Sequence, residues 1–323
     1  MSKSDVDGVI LVISCKKYIE SRVMKNKYRL TGDSIANWKI IYVIADETLK
    51  THYSLGYHKG IKSQLLIIKC RDDYIHLFKK IVLAQKIVHL FYNIKKGIIK
   101  CDDDILFVKK NLIDYISSPL TIDYSAKRYD DLYFKTPGPE HLKGISLDRS
   151  MHQYFMKNQS IYLSMKKELN EKIHTMNKLF IPFPKIPEGY GGSGGVYFLS
   201  TKASKIIVAH FKNCNYDQFY RDSEFNDTYP FIAEDVGTAF ILCKNKIQFT
   251  NNKNLYSHVK WRQNKDLTSV LGFHTHIQGQ AITKILPNPK DYIAMPKGME
   301  EANNIGVTLE IFKILEDDRK AAP

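Results

Sequence analysis

The chain has 323 residues, of which 44% are hydrophobic and 25% are charged, a balance typical of globular proteins that excludes a disordered or fibrous chain. Lysine and arginine number 48 against 34 acidic residues, and the net charge of +14 favours anionic partners such as phosphorylated molecules, anionic lipid or nucleic acid. No stretch approaches the roughly 20 apolar residues that cross a bilayer, and the first residues lack the pattern of a secretory leader. We therefore expect no membrane span.

The cysteines and the residue bias indicate a compartment and a source. Five cysteines occur, an odd number without C-x-x-C spacing, and three of them lie in or beside apolar runs. This pattern predicts reduced thiols in the cytoplasm. Lysine, asparagine, isoleucine and tyrosine are all plentiful, so a bias towards AT-rich codons explains the positive charge more simply than a nucleic-acid site, and it fits a viral or microbial source.

The first hundred residues alternate strand and helix patterns. Near-continuous apolar runs at 7–14, 38–44 and 65–68 predict strands that are buried on both faces of a parallel sheet. Apolar residues recur every three or four positions from 73 to 94 and predict a helix, and another short strand is predicted at 97–101. This order predicts an α/β fold with a doubly wound sheet, whose ligands bind beyond the carboxyl ends of the strands.

The second half of the chain carries weaker periodic signals. Residues 125–187 predict extended loops with one helix near 161–176, and a strand is predicted at 194–200. Helices are predicted at 202–211 and 235–243. No repeat or linker divides the chain, so we expect one main domain and a short C-terminal appendage whose charged end frays.

Asp102, Asp103 and Asp104 form three adjacent carboxylates directly after the strand predicted at 97–101. An acidic turn or a helix cap is one interpretation. The alternative is a divalent cation site, because apolar neighbours hold these carboxylates at a strand end, where a cation would offset their mutual repulsion. Carboxylate oxygens are the ligands that Mg²⁺ and Mn²⁺ prefer.

Two further segments combine small or acidic residues with an apolar run. Five glycines occur between Gly189 and Gly195, just before a predicted strand. This segment is neither a Walker A loop nor a dinucleotide fingerprint, and it indicates either a flexible turn or a close approach of the backbone to a ligand. Glu234 and Asp235 open a predicted helix, so they are either a helix cap or, in such apolar surroundings, a general base.

Three histidines, His258, His274 and His276, follow in the C-terminal part of the chain. A single histidine is more often a surface or packed residue than a metal ligand. Here His274 and His276 flank Thr275 beside Phe273, a placement that would bring one imidazole near a metal.

Four of these segments, in this order, resemble glycosyltransferase family 31, the β-1,3-glycosyltransferases that include galactosyl- and N-acetylglucosaminyltransferases and Fringe. The segment that begins with Asp73 and ends with Lys80 is similar to the family's D-x-Y-x-N-L-x-x-K helix. Residues 100–105, KCDDDI, are similar to its K-x-D-D-D-V. Residues 194–200, GGVYFLS, resemble its S-G-G-G-Y-V-L-S, and residues 234–237, EDVG, resemble its E-D-V-x-x-G.

The resemblance implies a GT-A fold, an α/β fold with a Rossmann-like, mostly parallel central sheet flanked by helices. One catalytic domain would cover residues 1–290, with a nucleotide-sugar-binding half at 1–120 and an acceptor-binding half at 121–290. An appendage would follow at 291–323. The chain departs from family members of the secretory pathway, which carry a membrane anchor and disulfide-bonded cysteines.

The resemblance also implies a site for Mn²⁺ or Mg²⁺, with Asp104, Asp102 and one histidine as ligands. His274 is preferred, because its spacing from Asp235 is near that in the N-acetylglucosaminyltransferase branch. His258 is the rival, with a spacing closer to the Fringe branch.

Asp235 is implied to be the catalytic base of an inverting transfer. A hexosyl group (galactose, glucose or N-acetylhexosamine) would move from a UDP-sugar donor to a hydroxyl of a glycan or glycoprotein acceptor, with a β-1,3 linkage. The residues implied to bind the donor are Arg22, Asp73, Lys80, Asp102, Asp103, Gly194, Gly195 and Glu234.

Two other functions are open at this point. A metal-dependent nucleotidyl- or phosphotransferase is the first, because paired carboxylates at a strand end also support two-metal catalysis. A basic nucleic-acid-binding module is the second, and it predicts an affinity that falls steeply with salt. No motif of interleaved aromatic and basic residues supports the second function, so a nucleic-acid partner is not expected.

Overall fold

The structure is a computed structural model that describes residues 3–26, 28–73, 76–128, 144–146, 180–182, 187, 189–211, 234–258, 266–274, 310–311 and 313–321. The helix predicted near 161–176 and the histidine His276 lie outside these residues.

A nine-stranded sheet forms the centre of the described structure, in the order β12-β8-β11-β6-β1-β3-β5-β4, with β2 paired to β3. Strands β1, β3, β5 and β6 are mutually parallel, as are β8 and β12, whereas β2, β4 and β11 pair antiparallel to their neighbours. The predicted α/β class with a mostly parallel central sheet is therefore confirmed. The strands are β1 (Ser4–Ile13), β2 (Ser34–Ile35), β3 (Trp38–Ala45), β4 (Tyr53–His58), β5 (Ser63–Ile68), β6 (Tyr92–Asp102), β8 (Tyr124–Arg128), β11 (Gly192–Ser200) and β12 (Phe249–Asn251).

The continuous apolar runs form the interior strands because both faces of the sheet are covered. Apolar side chains of α2 pack on one face, and Leu112 and Ile116 of α3 pack on the other. Strand β6 begins earlier than predicted, since α2 ends at Phe91 and the next residues pair with the start of β1. The helices are α1 (Lys16–Tyr18), which continues as a π-helical turn (Ile19–Val23), α2 (Leu77–Phe91), α3 (Lys109–Ser117), α4 (Thr201–His210) and α5 (Glu234–Lys244).

Strands also form where the sequence predicts loops. The expectation of loops over 125–187 is wrong at residues 125–128, which belong to β8, and at β9 (Gly144–Ser146) and β10 (Phe180–Pro182), which pair antiparallel with each other. The short length of these strands leaves little periodicity for a sequence to show.

A second, three-stranded sheet joins distant parts of the chain. Strand β14 (Gly272–His274) pairs antiparallel with β7 (Ile105–Phe107) and parallel with β13 (Ser257–His258). In this register His274 lies opposite Ile105, the residue that follows the three aspartates.

The C-terminal helix (helical residues 310–311 and 313–321) packs on this second sheet. Ile311 and Leu315 share a buried cluster with Leu106 of β7 and Phe273 of β14. Both carboxylate oxygens of Asp318 accept hydrogen bonds from backbone amides at the start of α3, at 2.7 and 2.9 Å. The expected fraying of the chain end is therefore wrong for these residues, because the helix buries an apolar face and caps another helix.

Two further expectations concern the cysteines and the membrane. Cys15, Cys70, Cys101 and Cys243 are free thiols, whereas Cys214 lies outside the described residues. Among the helices that the structure describes, none combines the length and apolar character needed to cross a bilayer.

Candidate metal and acidic site

The three aspartates form the turn between β6 and β7. Strand β6 ends at Asp102, opposite Ile13 at the end of β1, so the turn lies at the carboxyl edge of the parallel strands. Asp103 and Asp104 are each only 7% exposed. The local sequence folds in this way because apolar residues precede and follow the aspartates and hold both strands in the core.

Asp102, Asp104 and His274 offer ligand atoms that all lie within 4.8 Å of one another. His274 Nε2 lies 3.2 Å from Asp104 Oδ1. Two carboxylates and an imidazole suit a divalent cation, so these three residues fit the metal that the sequence implies. Of the two histidines weighed as ligands, His274 is the one whose side chain is seen in this group; the side chain of His258 lies outside the described residues, although its backbone pairs with His274.

Tyr256, which the sequence analysis did not single out, supports the imidazole. Its ring lies at 88° to that of His274, with 5.6 Å between the centroids, and its hydroxyl donates to Ser193 Oγ at 2.5 Å. Burial lowers the pKa of His274, but the contact with Asp104 outweighs it and raises that pKa above its usual value. Tyr256 has no spacing signal, because its contact with His274 depends on the pairing of distant strands.

Protein groups contact both carboxylate oxygens of Asp103. Ser14 Oγ donates to Oδ2 at 2.6 Å, and Arg22 Nη1 donates to Oδ1 at 2.8 Å. Burial raises the pKa of Asp103 to about 6, although Arg22 opposes this shift. The guanidinium of Arg22 also stacks on Tyr18, 4.1 Å from the ring centroid. The structure thus brings Arg22 to the aspartate turn, where it orients Asp103.

Asp73 and Lys80 lie at the same edge of the sheet, near the start of α2. Lys80 is buried, and its Nζ donates to the carbonyl of Ser14 at 2.6 Å and to Asp72 at 2.8 Å. Asp73 lies 2.6 Å from His76 Nδ1. Burial tends to raise the pKa of Asp73, but the contact with His76 brings it below its usual value.

Lys100, on β6, connects the aspartate turn to the second acidic segment. Its Nζ donates to Asp102 Oδ1 at 2.7 Å and to Glu234 Oε1 at 2.8 Å. Glu234 also accepts the hydroxyl of Tyr197 on Oε2 at 3.0 Å. Burial raises the pKa of Glu234 to about 7, although Lys100 opposes this shift.

Gly194 and Gly195 lie inside β11, which begins within the glycine run rather than after it. A Cβ at position 194 would lie 2.6 Å from Glu234 Oε1, and one at 195 would lie 3.2 Å from the Tyr256 ring. The glycines are therefore required by close approach of side chains from other elements. In contrast, Gly189 and Gly191 adopt φ values of 79° and 88° in the turn before the strand.

Asp235 lies at the start of α5, half-buried beside Gly194. Its Oδ2 accepts the backbone N–H of Gly194 at 3.1 Å, and its Oδ1 accepts that of Val236 at 2.8 Å. The helix dipole also favours an anion at this place. These contacts hold the carboxylate beside β11 and the start of α5, the two elements that Lys100 also contacts from β6.

No protein-family model and no curated protein sequence matches this chain. Among solved structures, the apo form of the glycosyltransferase GlyE from Streptococcus pneumoniae TIGR4 is similar with a TM-score of 0.37 and 11% identity, over 97% of this chain and 63% of GlyE. A second GlyE structure has the same TM-score and coverage with 13% identity. The apo form of mouse xyloside xylosyltransferase 1 has a TM-score of 0.35 and 11% identity, over 84% of this chain and 98% of that protein. The chain thus spans less than two thirds of the length of GlyE.

Proposed function

We propose that this protein is a metal-dependent, inverting glycosyltransferase that moves a hexosyl group from a UDP-sugar to a hydroxyl of a glycan or glycoprotein, with a β-1,3 linkage. One observation carries the proposal. The group formed by Asp102, Asp104 and His274 lies at the carboxyl edge of a parallel sheet, and Lys100 ties it to the helix start that holds Asp235. An α/β sheet binds its ligands at this edge.

Asp102, Asp104 and His274 would hold the cation, Mn²⁺ or Mg²⁺. When bound, a divalent cation neutralises the charge of a diphosphate leaving group. Asp103 would orient this turn through its contacts with Arg22 and Ser14. The donor diphosphate and the carboxylates would repel one another without the cation, so donor binding should require it.

A small cleft lies beside Asp102 and Asp103, at the ends of β1 and β3, and its lining includes Val12, Asn26, Arg29, Leu30 and Tyr42. Its enclosed space is about that of one water molecule, so the donor would bind outside it, over the aspartate turn.

Asp235 would act as the general base. The acceptor oxygen forms a bond to the anomeric carbon while the bond from that carbon to the UDP oxygen breaks, and Asp235 takes the proton of the acceptor hydroxyl. A single displacement of this kind inverts the anomeric centre. An α-linked UDP-sugar should therefore give a β-linked product.

Calorimetry with UDP and a panel of UDP-sugars, with Mn²⁺ and with EDTA, tests the donor, and NMR of the product tests the stereochemistry. We expect UDP binding only with metal, and a β-linked product. Metal-independent UDP binding would overturn the metal assignment, and an α-linked product would overturn the inverting mechanism. Incorporation of nucleotide in place of sugar transfer would indicate a nucleotidyltransferase instead.

A further inference from the structure

Lys100 is a buried lysine whose three ammonium hydrogens meet three acceptors. Its side chain is 1% exposed. Nζ donates to Asp102 at 2.7 Å, to Glu234 at 2.8 Å and to the backbone carbonyl of Gly194. These three acceptors use all three hydrogens of the ammonium, which therefore has no capacity left for a ligand.

The three acceptors belong to three different elements. Asp102 ends β6 and belongs to the candidate metal group, Glu234 begins α5, and Gly194 lies in β11. Gly194 also donates its N–H to Asp235. The Lys100 ammonium thus connects Asp102, of the candidate metal group, to Gly194 and to the start of α5. Both of these elements position the candidate base Asp235.

We propose that Lys100 is a positioning residue that fixes the separation between the metal carboxylate Asp102 and the base Asp235. This inference rests on the proposed function. Lys100 would not touch the substrate, because its hydrogens are all engaged by the protein. Its role is to hold two groups that act on opposite sides of the anomeric carbon, one with the leaving diphosphate and one with the incoming hydroxyl.

Electrostatic repulsion explains why this role needs the positive charge of the Lys100 side chain. Asp102 and Glu234 accept from the same ammonium, so removal of its charge would leave two carboxylates facing each other in a partly buried space. They would separate, and both Asp102 and the start of α5 would move. Loss of such a supporting partner usually weakens metal binding or activity by about 10- to 100-fold.

The test compares Lys100→Met with Lys96→Met, a matched change on the same strand. Lys96 donates to the carbonyl of Ile116 at 2.7 Å and lies 3.7 Å from Asp7, and neither partner belongs to the candidate site. For Lys100→Met we expect Mn²⁺ affinity, measured by calorimetry without nucleotide, to fall by about 10- to 100-fold. At saturating Mn²⁺ we expect kcat to fall by a similar factor while the KM for the donor changes little. Lys96→Met should leave both quantities unchanged.

A second variant separates positioning from folding. Lys100→Met/Glu234→Gln removes one buried positive and one buried negative charge, so it should recover thermal stability that Lys100→Met loses. It should not recover kcat, since the link between Asp102 and α5 is still missing. A folded double variant with normal Mn²⁺ affinity and kcat would overturn the role of Lys100. Wild-type protein that binds neither Mn²⁺ nor UDP would instead overturn the proposed function itself.

Discussion

Two clusters of charged side chains lie at the carboxyl edge of the central sheet, and they differ in their charge balance. The first, here called the balanced cluster, follows β3 and β5, and each carboxylate in it has one permanent cation as partner at 2.7 to 3.3 Å. Its pairs are Lys16 with Asp46, Lys80 with Asp72, and Arg71 with Asp73.

The second, here called the acidic cluster, surrounds the aspartate turn. Among the described residues it contains five carboxylates, and the two permanent cations named here, Arg22 and Lys100, do not match them one to one. Its members are Asp102, Asp103, Asp104, Glu234, Asp235, Lys100 and Arg22, with His274 beside them.

The difference shows which acidic residues are expected to bind a ligand. Carboxylates that are matched one to one by lysine or arginine hold elements together, as the pair of Lys80 and Asp72 holds α2 to the segment that follows β5. Carboxylates in excess destabilise one another unless a cation is supplied. The number of acidic residues in a sequence segment is therefore a weaker guide to a metal site than their excess over nearby cations.

The largest expected effect is in the acidic cluster, at Asp235. Asp235→Asn keeps the shape and can still accept the N–H of Gly194, but it cannot take a proton. We expect turnover to fall by about 10²-fold or more, with the affinity for UDP-sugar nearly unchanged. Initial rates together with calorimetry measure both quantities. A near-normal rate would point to Glu234 or to a retaining mechanism.

A change of one carboxylate of the candidate metal group should have an effect almost as large. Asp104→Ala removes one proposed oxygen ligand and the partner of His274, so we expect Mn²⁺ affinity to fall by about 10-fold or more and UDP binding to be lost with it. Calorimetry of Mn²⁺ binding, with wild-type protein in EDTA as reference, measures this. His274→Ala should weaken Mn²⁺ binding more than His258→Ala does, and the reverse order would assign the ligand to His258.

Loss of one carboxylate from the balanced cluster should lower stability rather than metal affinity. Asp72→Asn leaves the buried ammonium of Lys80 without its carboxylate, which should cost about 3 kcal/mol in the free energy of unfolding. Mn²⁺ affinity should not change. Urea unfolding and calorimetry of the two variants, Asp72→Asn and Asp104→Ala, compare the clusters directly. Loss of Mn²⁺ binding in Asp72→Asn would contradict the distinction between them.

The smallest effect lies outside both clusters, at His89 between α2 and α4. Its Nε2 lies 2.9 Å from Ser204 Oγ, and burial lowers its pKa to about 4. The unfolded chain takes up this proton first as pH falls, so stability should decline between about pH 6.5 and 4. His89→Gln should remove about 1 kcal/mol of this decline, after allowance for partial exposure. An unchanged pH profile of thermal unfolding in His89→Gln would contradict this role of His89.

The interior strands and the aspartate turn could be predicted from the sequence because their signals are local. Burial on both faces produces continuous apolar runs such as that of β1, and the turn is marked by three acidic residues between two such runs. The edge strands β4 and β12 have no such mark, because β4 is mostly exposed and β12 is only three residues long. The sequence also does not show that β12 pairs with β8 or β7 with β14, because these partners lie more than a hundred positions apart.

The sequence indicates which residues to consider at the candidate site, but it does not indicate the contacts between them. The sequence indicates Asp104, Asp235 and His274 through resemblance, but it does not show that Lys100 joins Asp102 to Glu234 or that Tyr256 packs on His274. Lys100 and Glu234 lie 134 positions apart, and no periodicity in the sequence encodes such a contact. For the same reason, the engagement of Lys80 with Ser14 and Asp72 could not be foreseen from its place in a helix motif.

The packing of the C-terminal helix on the second sheet has a consequence for the order in which the protein is made. The strands that carry the aspartate turn end at Phe107, and they can pair as the chain emerges from the ribosome. His274 is synthesised well after them, and the helix that covers β7 and β14 follows it. The nascent chain therefore carries the three aspartates before it carries either the imidazole of the candidate metal group or the helix that covers this sheet.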